Sequence, residues 1–225
     1  MSGGPPTVRA VVFDLDGTLV DSMPMVLRAF AHALEPFCPP RSDEELLARL
    51  GGPPERTFRQ LIGEARQVPE AMRRLREFTL ANWHLIQPFP GMHSLLDDLR
   101  GGGCQIGLWT GRERESTEWI LREQNLTTRV DACVCGDDLP THKPHPAGLA
   151  ATLGKLSVAG DEALFVGDAD VDVLAGTEAG VRTVLIRHGR PVDAEILSKA
   201  WQVVETPEAA YAVVRLMALK RGARR

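Results

Sequence analysis

Two aspartates stand two positions apart at the end of an apolar run, in Val11-Val-Phe-Asp-Leu-Asp-Gly-Thr-Leu-Val20. Carboxylates this close beside buried residues repel each other and lose hydration, so Asp14 and Asp16 need a cation or a shared proton. An Asp-Gly hairpin turn is the plainer account of Asp16-Gly17. Against it, no alternating strand returns after Leu19, and a turn leaves Asp14 unexplained. Three later segments carry groups that complement this pair. Gly107-Leu-Trp-Thr-Gly-Arg112 sets the Thr110 hydroxyl and the Gly111 amide ahead of a helix. That pattern suits an anionic oxygen, and it also makes an ordinary helix N-cap. Thr141-His-Lys-Pro-His-Pro146 holds Lys143 among prolines, where its compact charge can offset a phosphoryl oxygen or a carboxylate nucleophile. A surface lysine in a Pro-rich turn is the alternative, and His142 and His145 read as solvated or structural.

The fourth segment, Leu164-Phe-Val-Gly-Asp-Ala-Asp-Val-Asp-Val-Leu-Ala-Gly176, crowds three more acids at the end of an apolar run. Asp168 and Asp172 share a side at the i, i+4 spacing, while Asp170 reads as a helix N-cap. So many carboxylates imply a hard cation, and a ligand set made only of oxygen favours magnesium. A calcium loop of the EF-hand type is poorly supported, because no Glu stands at the twelfth position from Asp168.

These residues are far apart in the chain, so the elements around them must bring them together. Continuous apolar runs at Val8 to Phe13, Gln105 to Trp109, Ala132 to Cys135, Ala163 to Val166, Val181 to Ile186 and, weakly, Trp201 to Val204 read as parallel strands buried on both faces. Helical patterns follow most of them, at Met92 to Arg100, Glu113 to Gln124, Pro146 to Leu153, Val171 to Ala179 and Pro207 to Leu219. This order predicts an α/β fold with a doubly wound parallel sheet, in which ligands bind at the carboxyl ends of the strands. All four segments lie at such ends. Between the first and second strands the chain reads as helix after helix: Met23 to Leu34, Asp43 to Leu50, Glu55 to Gly63 and Glu70 to Ile86. The predicted organisation is therefore an α/β core formed by residues 1–21 and 88–225, with an α-helical cap at residues 22–87. Pro88 and Pro90 mark the second hinge.

Composition excludes several function classes. Lys plus Arg number 26 against 30 Asp plus Glu, a balance that offers no footprint for nucleic acid or an anionic membrane. Lys220, Arg221, Arg224 and Arg225 form a basic C-terminal cluster that reads as a solvated end. Cys38, Cys104, Cys133 and Cys135 have no zinc-site spacing, and Cys104, Cys133 and Cys135, each in an apolar run, suit reduced thiols of a cytoplasmic protein. No apolar stretch approaches the ~20 residues of a membrane span, and Met1 to Pro6 has no features of a secretory signal.

The order Asp14-Leu-Asp-Gly-Thr18, Thr110, Lys143, Gly167-Asp168 and Asp172 resembles the haloacid dehalogenase superfamily over essentially the whole chain. The chain looks most like its phosphoglycolate phosphatase and β-phosphoglucomutase branch, whose small helical caps are similar to the insertion here. The resemblance implies that Asp14 attacks phosphorus to form an aspartyl-phosphate. Asp16 would protonate the leaving group and then activate water. Thr110 and Gly111 would bind phosphoryl oxygens, and Lys143 would offset their charge. Magnesium would be held by Asp14, the Asp16 main-chain carbonyl and Asp168, with Asp172 a ligand through water or an orienting neighbour. An acid at position 16 favours phosphate esters over dehalogenation. His142 precedes Lys143 where many relatives carry glycine. In the cap, Gly51-Gly-Pro-Pro-Glu-Arg56 is the segment expected to face substrate, with Arg56 a candidate partner for a substrate anion. The expected activity is magnesium-dependent hydrolysis of a small phosphorylated metabolite. A phosphosugar mutase, a pyrophosphate hydrolase and a non-catalytic phospholigand-binding module are the competing readings.

Overall fold

The computed structural model describes residues 7–50 and 54–219. The Met1 to Pro6 start, the basic cluster from Lys220 to Arg225 and the first part of the Gly51 to Arg56 segment lie outside the described residues. In chain order the elements are β1 (Ala10–Phe13), β2 (Val20–Asp21), α1 (Met23–Leu34), α2 (Asp43–Leu47), α3 (Pro54–Leu61), α4 (Val68–Ala81) and β3 (Gln87–Pro88). They continue as α5 (Met92–Gly101), β4 (Gln105–Trp109), α6 (Arg114–Glu123), β5 (Ala132–Val134), α7 (Ala147–Leu156) and β6 (Ala163–Gly167). The last are α8 (Asp170–Glu178), β7 (Arg182–Ile186), α9 (Ala194–Lys199), β8 (Gln202–Val204) and α10 (Pro207–Ala218). The chain divides into two compact units. One runs through Asp21 and resumes at Pro88, and the other is Ser22–Gln87.

The larger unit is built on a six-stranded sheet in the order β5-β4-β1-β6-β7-β8, with every pairing parallel. β1 is central, with Phe13 level with Leu108 on one side and Val166 on the other. All four residues of β1 are wholly buried, as its unbroken run of Ala, Val and Phe requires when helices cover both faces. Val12, Trp109, Leu149, Leu153, Phe165 and Ala175 belong to one core cluster. Gly148 on α7 has no side chain because a Cβ there would lie 2.0 Å from the Trp109 indole nitrogen. The chain leaves β1 toward β4 and β5 on one side, then returns to β6 on the other. This reversal opens a crevice at the carboxyl ends of the strands, where open α/β sheets bind their ligands.

The Ser22–Gln87 unit has its own core of Phe30, Leu34, Leu46, Phe58, Ile62 and Val68, with the Phe30 and Phe58 rings 5.1 Å apart. Ser42 and Glu45 form a capping box at the start of α2. The single helix expected from Glu70 to Ile86 is instead α4 followed by a short 3-10 turn at Trp83–Leu85. The cause is Asn82, whose side-chain amide donates to the Phe78 carbonyl at 2.8 Å. This satisfies a helix-terminal acceptor and ends the regular repeat.

Two other local expectations are revised. A tight turn does follow Asp16: Gly17 has φ +72°, and its N–H donates to the Val20 carbonyl at 2.9 Å, leading into the short β2. The turn and the chemistry share the same residues. At the start of α8 the N-cap is Ala169, and Asp170 is the first helical residue, with its carboxylate 2.7 Å from Arg190 Nη2. Among the described residues, no helix is long and apolar enough to cross a membrane.

Candidate active site

Strand ends in the larger unit bring the four segments together. Asp14 is the first residue after β1 and is 7% exposed, its N–H donating to the Val166 carbonyl at 2.8 Å. Asp168 follows β6 directly. Asp172 lies in the first turn of α8, where its Oδ2 accepts from the Ala169 N–H at 3.0 Å. One carboxylate oxygen from each of Asp14, Asp168 and Asp172 lies within 4.8 Å of the others. Two glycines make room for them. A Cβ on Gly17 would sit 2.2 Å from Asp168 Oδ2, and one on Gly167 would sit 2.4 Å from Asp172 Oδ2.

Lys143 is buried against these acids. Its ammonium donates to Asp14 Oδ1 at 2.6 Å and stands 2.7 Å from Asp172 Oδ1. The second approach is an ion pair without hydrogen-bond alignment, since Asp172 Oδ1 is buried and accepts no hydrogen bond. The ammonium also lies 4.8 Å from the Trp109 ring centroid, so a cation–π contact adds to its neutralisation. Burial works against the charge on Lys143, but Asp14 and Asp172 outweigh it and raise its pKa. One cation cannot balance three clustered acids. Burial pushes Asp14 up to about 7, with Lys143 opposing and Asp172 and Asp16 reinforcing. Burial, then Asp14 and Asp172, pushes Asp168 up to about 8. A converging all-oxygen donor set with this excess of negative charge fits a hard divalent ion such as magnesium.

The Asp16 carboxylate has a different partner. Arg112 Nε donates to its Oδ2 at 3.0 Å and Nη2 to its Oδ1 at 2.5 Å, a bidentate fork. Thr110, one residue beyond β4, is buried, and its Oγ1 accepts from the Arg112 N–H at 3.1 Å. Gly111 is exposed. Gly136 packs so closely that a Cβ on it would lie 2.2 Å from the Gly111 carbonyl oxygen. Trp109, Thr110, Gly111, Gly136, His142 and Lys143 line a small cavity. His145 is exposed, and its Nδ1 accepts from the Ala147 N–H at 3.2 Å.

Asp14, Lys143, Asp168 and Asp172 are thus in one cluster, with Asp16 and Thr110 joined through Arg112. Arg56 is an exposed residue of α3 in the helical unit. Sequence reasoning passed over Arg112, although it closes a quoted motif, because its partner lies 96 residues away. It also passed over the loop after β7. There His188 Nε2 contacts the Gly17 carbonyl at 2.6 Å, and Arg190 donates to the Asp168 carbonyl at 2.8 Å. The signal available was position alone, a polar loop at the carboxyl end of a parallel strand.

Comparison with known proteins agrees with this architecture. The chain is 31% identical over 178 residues to the pyrophosphatase PpaX of Bacillus velezensis, covering 78% of this chain and 82% of that protein. A predicted phosphoglycolate phosphatase from Haemophilus somnus superposes with a TM-score of 0.82 at 22% identity, covering 94% of this chain and 100% of the other. A candidate β-phosphoglucomutase from Thermotoga maritima does so with a TM-score of 0.80 at 23% identity, covering 93% and 99%. At these identities the two structures establish a shared fold. Residues 11–186, which span the buried strand before Asp14 through the end of β7, match the haloacid dehalogenase-like hydrolases, and the chain belongs to that family.

Proposed function

We propose that the protein is a magnesium-dependent phosphatase that hydrolyses a small phosphorylated metabolite through a phosphorylated Asp14. The observation that carries this reading is the contact of buried Asp14 with Lys143 inside a cluster completed by Asp168 and Asp172. A carboxylate so placed is held in one orientation, and its environment accepts further positive charge.

Asp14, Asp168 and the Asp16 main-chain carbonyl would hold magnesium, with Asp172 a further ligand, through water, or an orienting group. The ion supplies neutralisation of the transferring phosphoryl group. In the first step an Asp14 carboxylate oxygen attacks phosphorus. The bond to the leaving oxygen breaks, and Asp16 donates the proton that oxygen needs. In the second step water attacks the phosphorus of the aspartyl-phosphate and returns its proton to Asp16, releasing inorganic phosphate and regenerating Asp14. Thr110 Oγ1 and the Gly111 amide bind phosphoryl oxygens, and Lys143 offsets the charge that develops on them. The Ser22–Gln87 unit acts as the cap that selects the substrate, with Arg56 a candidate contact for its anionic part. Pyrophosphate and 2-phosphoglycolate are the first compounds to test, because proteins related by sequence or fold bear those names.

The test is phosphate release with and without magnesium from these two compounds, sugar phosphates and an aryl phosphate, for the wild type beside Asp14→Asn. Release that needs magnesium and disappears in the folded variant supports the reading. Equal release by both proteins, or release without a divalent ion, would overturn it.

A further inference from the structure

Cys133 lies in β5 and Cys135 one residue beyond its end, a spacing at which extended backbone turns both side chains to one face. Their sulfurs are 3.6 Å apart. Successive same-face positions on a strand have Cα atoms about 6.6 Å apart, within the ~4.4–6.8 Å that a disulfide spans. Among the described residues β5 is an edge strand of the sheet, paired to β4 alone, so it can pucker without breaking a second ladder. Nothing in the proposed phosphoryl chemistry uses this pair.

We propose that Cys133 and Cys135 form an oxidation site, a dithiol that closes to an intrachain disulfide when it meets a peroxide. The Cys135 thiolate attacks a peroxide oxygen, the O–O bond breaks, and water leaves after protonation, giving a sulfenic acid. The Cys133 sulfur then attacks the Cys135 sulfur, the S–OH bond breaks, and a second water leaves. Two thiols lose two electrons and two protons in all, and one peroxide is reduced to two waters. The surroundings favour Cys135 as the attacking sulfur. It is buried, but it lines the small cavity that holds Thr110, Gly111 and Lys143, the route by which a small oxidant would have to reach it. The hydrogen bond from Cys133 lowers its pKa, and Thr117 and the nearby Arg114 assist while burial opposes. Arg114 is fixed there by Asp138 and by its own N–H to Asp137 Oδ1 at 2.8 Å.

The bridge has a consequence for the neighbouring loop. Val134, between the two cysteines, accepts the Thr110 N–H at 3.1 Å. Closing the ring pinches that peptide and displaces the support of Thr110. This consequence rests on the phosphatase reading, whereas the covalent result does not.

The experiment treats the full chain with hydrogen peroxide, alkylates the remaining thiols and digests with trypsin. Cleavage after Arg129 and Lys155, with the Lys143-Pro144 bond resistant, leaves both cysteines in one peptide. The expected product is that peptide lighter by two hydrogens, unalkylated, and restored to two alkylated cysteines by prior dithiothreitol. In Cys133→Ser the closed form is absent and Cys135 carries added oxygen. A wild-type peptide that stays doubly alkylated, or that gains oxygen without closing, overturns the proposal. In the bridged wild type, phosphate release from the best substrate falls about tenfold or more and recovers with dithiothreitol. A full rate in the fully bridged protein would overturn the link to Thr110. A protein that bridges but releases no phosphate even when reduced would count against the phosphatase reading instead.

Discussion

Arg112 grips both oxygens of Asp16, Nε to Oδ2 at 3.0 Å and Nη2 to Oδ1 at 2.5 Å, while its own N–H donates to Thr110 Oγ1 at 3.1 Å. One residue thereby links the loop assigned to the phosphoryl group with the assigned proton donor. The fork orients Asp16 and favours its ionised form, so Asp16 must release one guanidinium nitrogen to carry a proton, and the loss of this positioning should matter in proportion to how much the leaving group needs that proton. Proton transfer by a positioned side chain contributes about 10²–10⁴-fold, and misplacing the donor forfeits part of that. Arg112→Ala is expected to lower kcat on an alkyl phosphate at least about tenfold, with a smaller loss on an aryl phosphate whose phenolate leaves unaided. Arg112→Lys, which supplies charge without the fork, should fall between the two. Equal losses on both substrates would mean that Arg112 acts on the fold or on phosphate binding.

Gly17 is expected to tolerate no side chain. Its φ of +72° lies in the left-handed region, which costs a residue with a Cβ about 1–2 kcal/mol. The same Cβ would stand 2.2 Å from Asp168 Oδ2, so the carboxylate must move. Gly17→Ala should lower the melting temperature and, separately, weaken magnesium binding. Isothermal titration with magnesium on the folded variant distinguishes the two effects. An unchanged magnesium affinity would show that Asp168 has room to rearrange.

The α/β architecture was legible because every central strand is a continuous apolar run. Gln105–Trp109 is observed at the bounds its composition predicts, and the others shift by a residue or two. The acids were legible for the same reason, since charges at the end of a buried strand demand an explanation. Asn82 escaped because a helix-ending side-chain bond to Phe78 adds no break to the apolar pattern. The short α9 escaped because its six residues carry little periodicity. Arg112, His188 and Arg190 were hidden for another reason. Their partners are Asp16, Gly17 and Asp168, and such pairings exist only once the sheet has brought the loops together.

The acidic cluster predicts an unusual response of stability to pH and metal. Asp14 is raised from 3.8 to about 7 and Asp168 from 3.8 to about 8. A carboxyl with a raised pKa keeps its proton in the folded state over a range where the unfolded chain releases it. Its contribution is therefore fully present below the unfolded value and is lost as pH rises through the folded one. Lys143 stays protonated throughout and adds no slope in this window. The metal-free protein should melt at progressively lower temperature between about pH 4 and pH 8. Magnesium needs the ionised carboxylates, so its stabilising effect should be larger at about pH 8.5 than at about pH 5.5. Thermal melts with chelator or magnesium across this range provide the check, and a magnesium effect independent of pH would contradict the cluster as the binding site.

Lys143 stands between Asp14 and Asp172, 2.6 Å from one oxygen and 2.7 Å from the other. Replacing it with methionine keeps much of the stem but removes the charge that lies over the Trp109 ring. The two acids then face each other uncompensated, a change that costs about 3–5 kcal/mol when one partner of a buried pair is lost. Burial already raises Asp14, and Lys143 is the main influence lowering it. In Lys143→Met the Asp14 pKa should therefore rise above about 7, so the ionised form of the proposed nucleophile appears only at higher pH. At neutral pH the variant should lose activity by about two orders of magnitude or more, as expected when a group stabilising developing charge is deleted. Part of the loss should be recovered as pH increases, with the rising limb of the pH–rate profile displaced upward. A profile that falls uniformly without moving would assign Lys143 to the phosphoryl oxygens alone and would separate its two proposed roles.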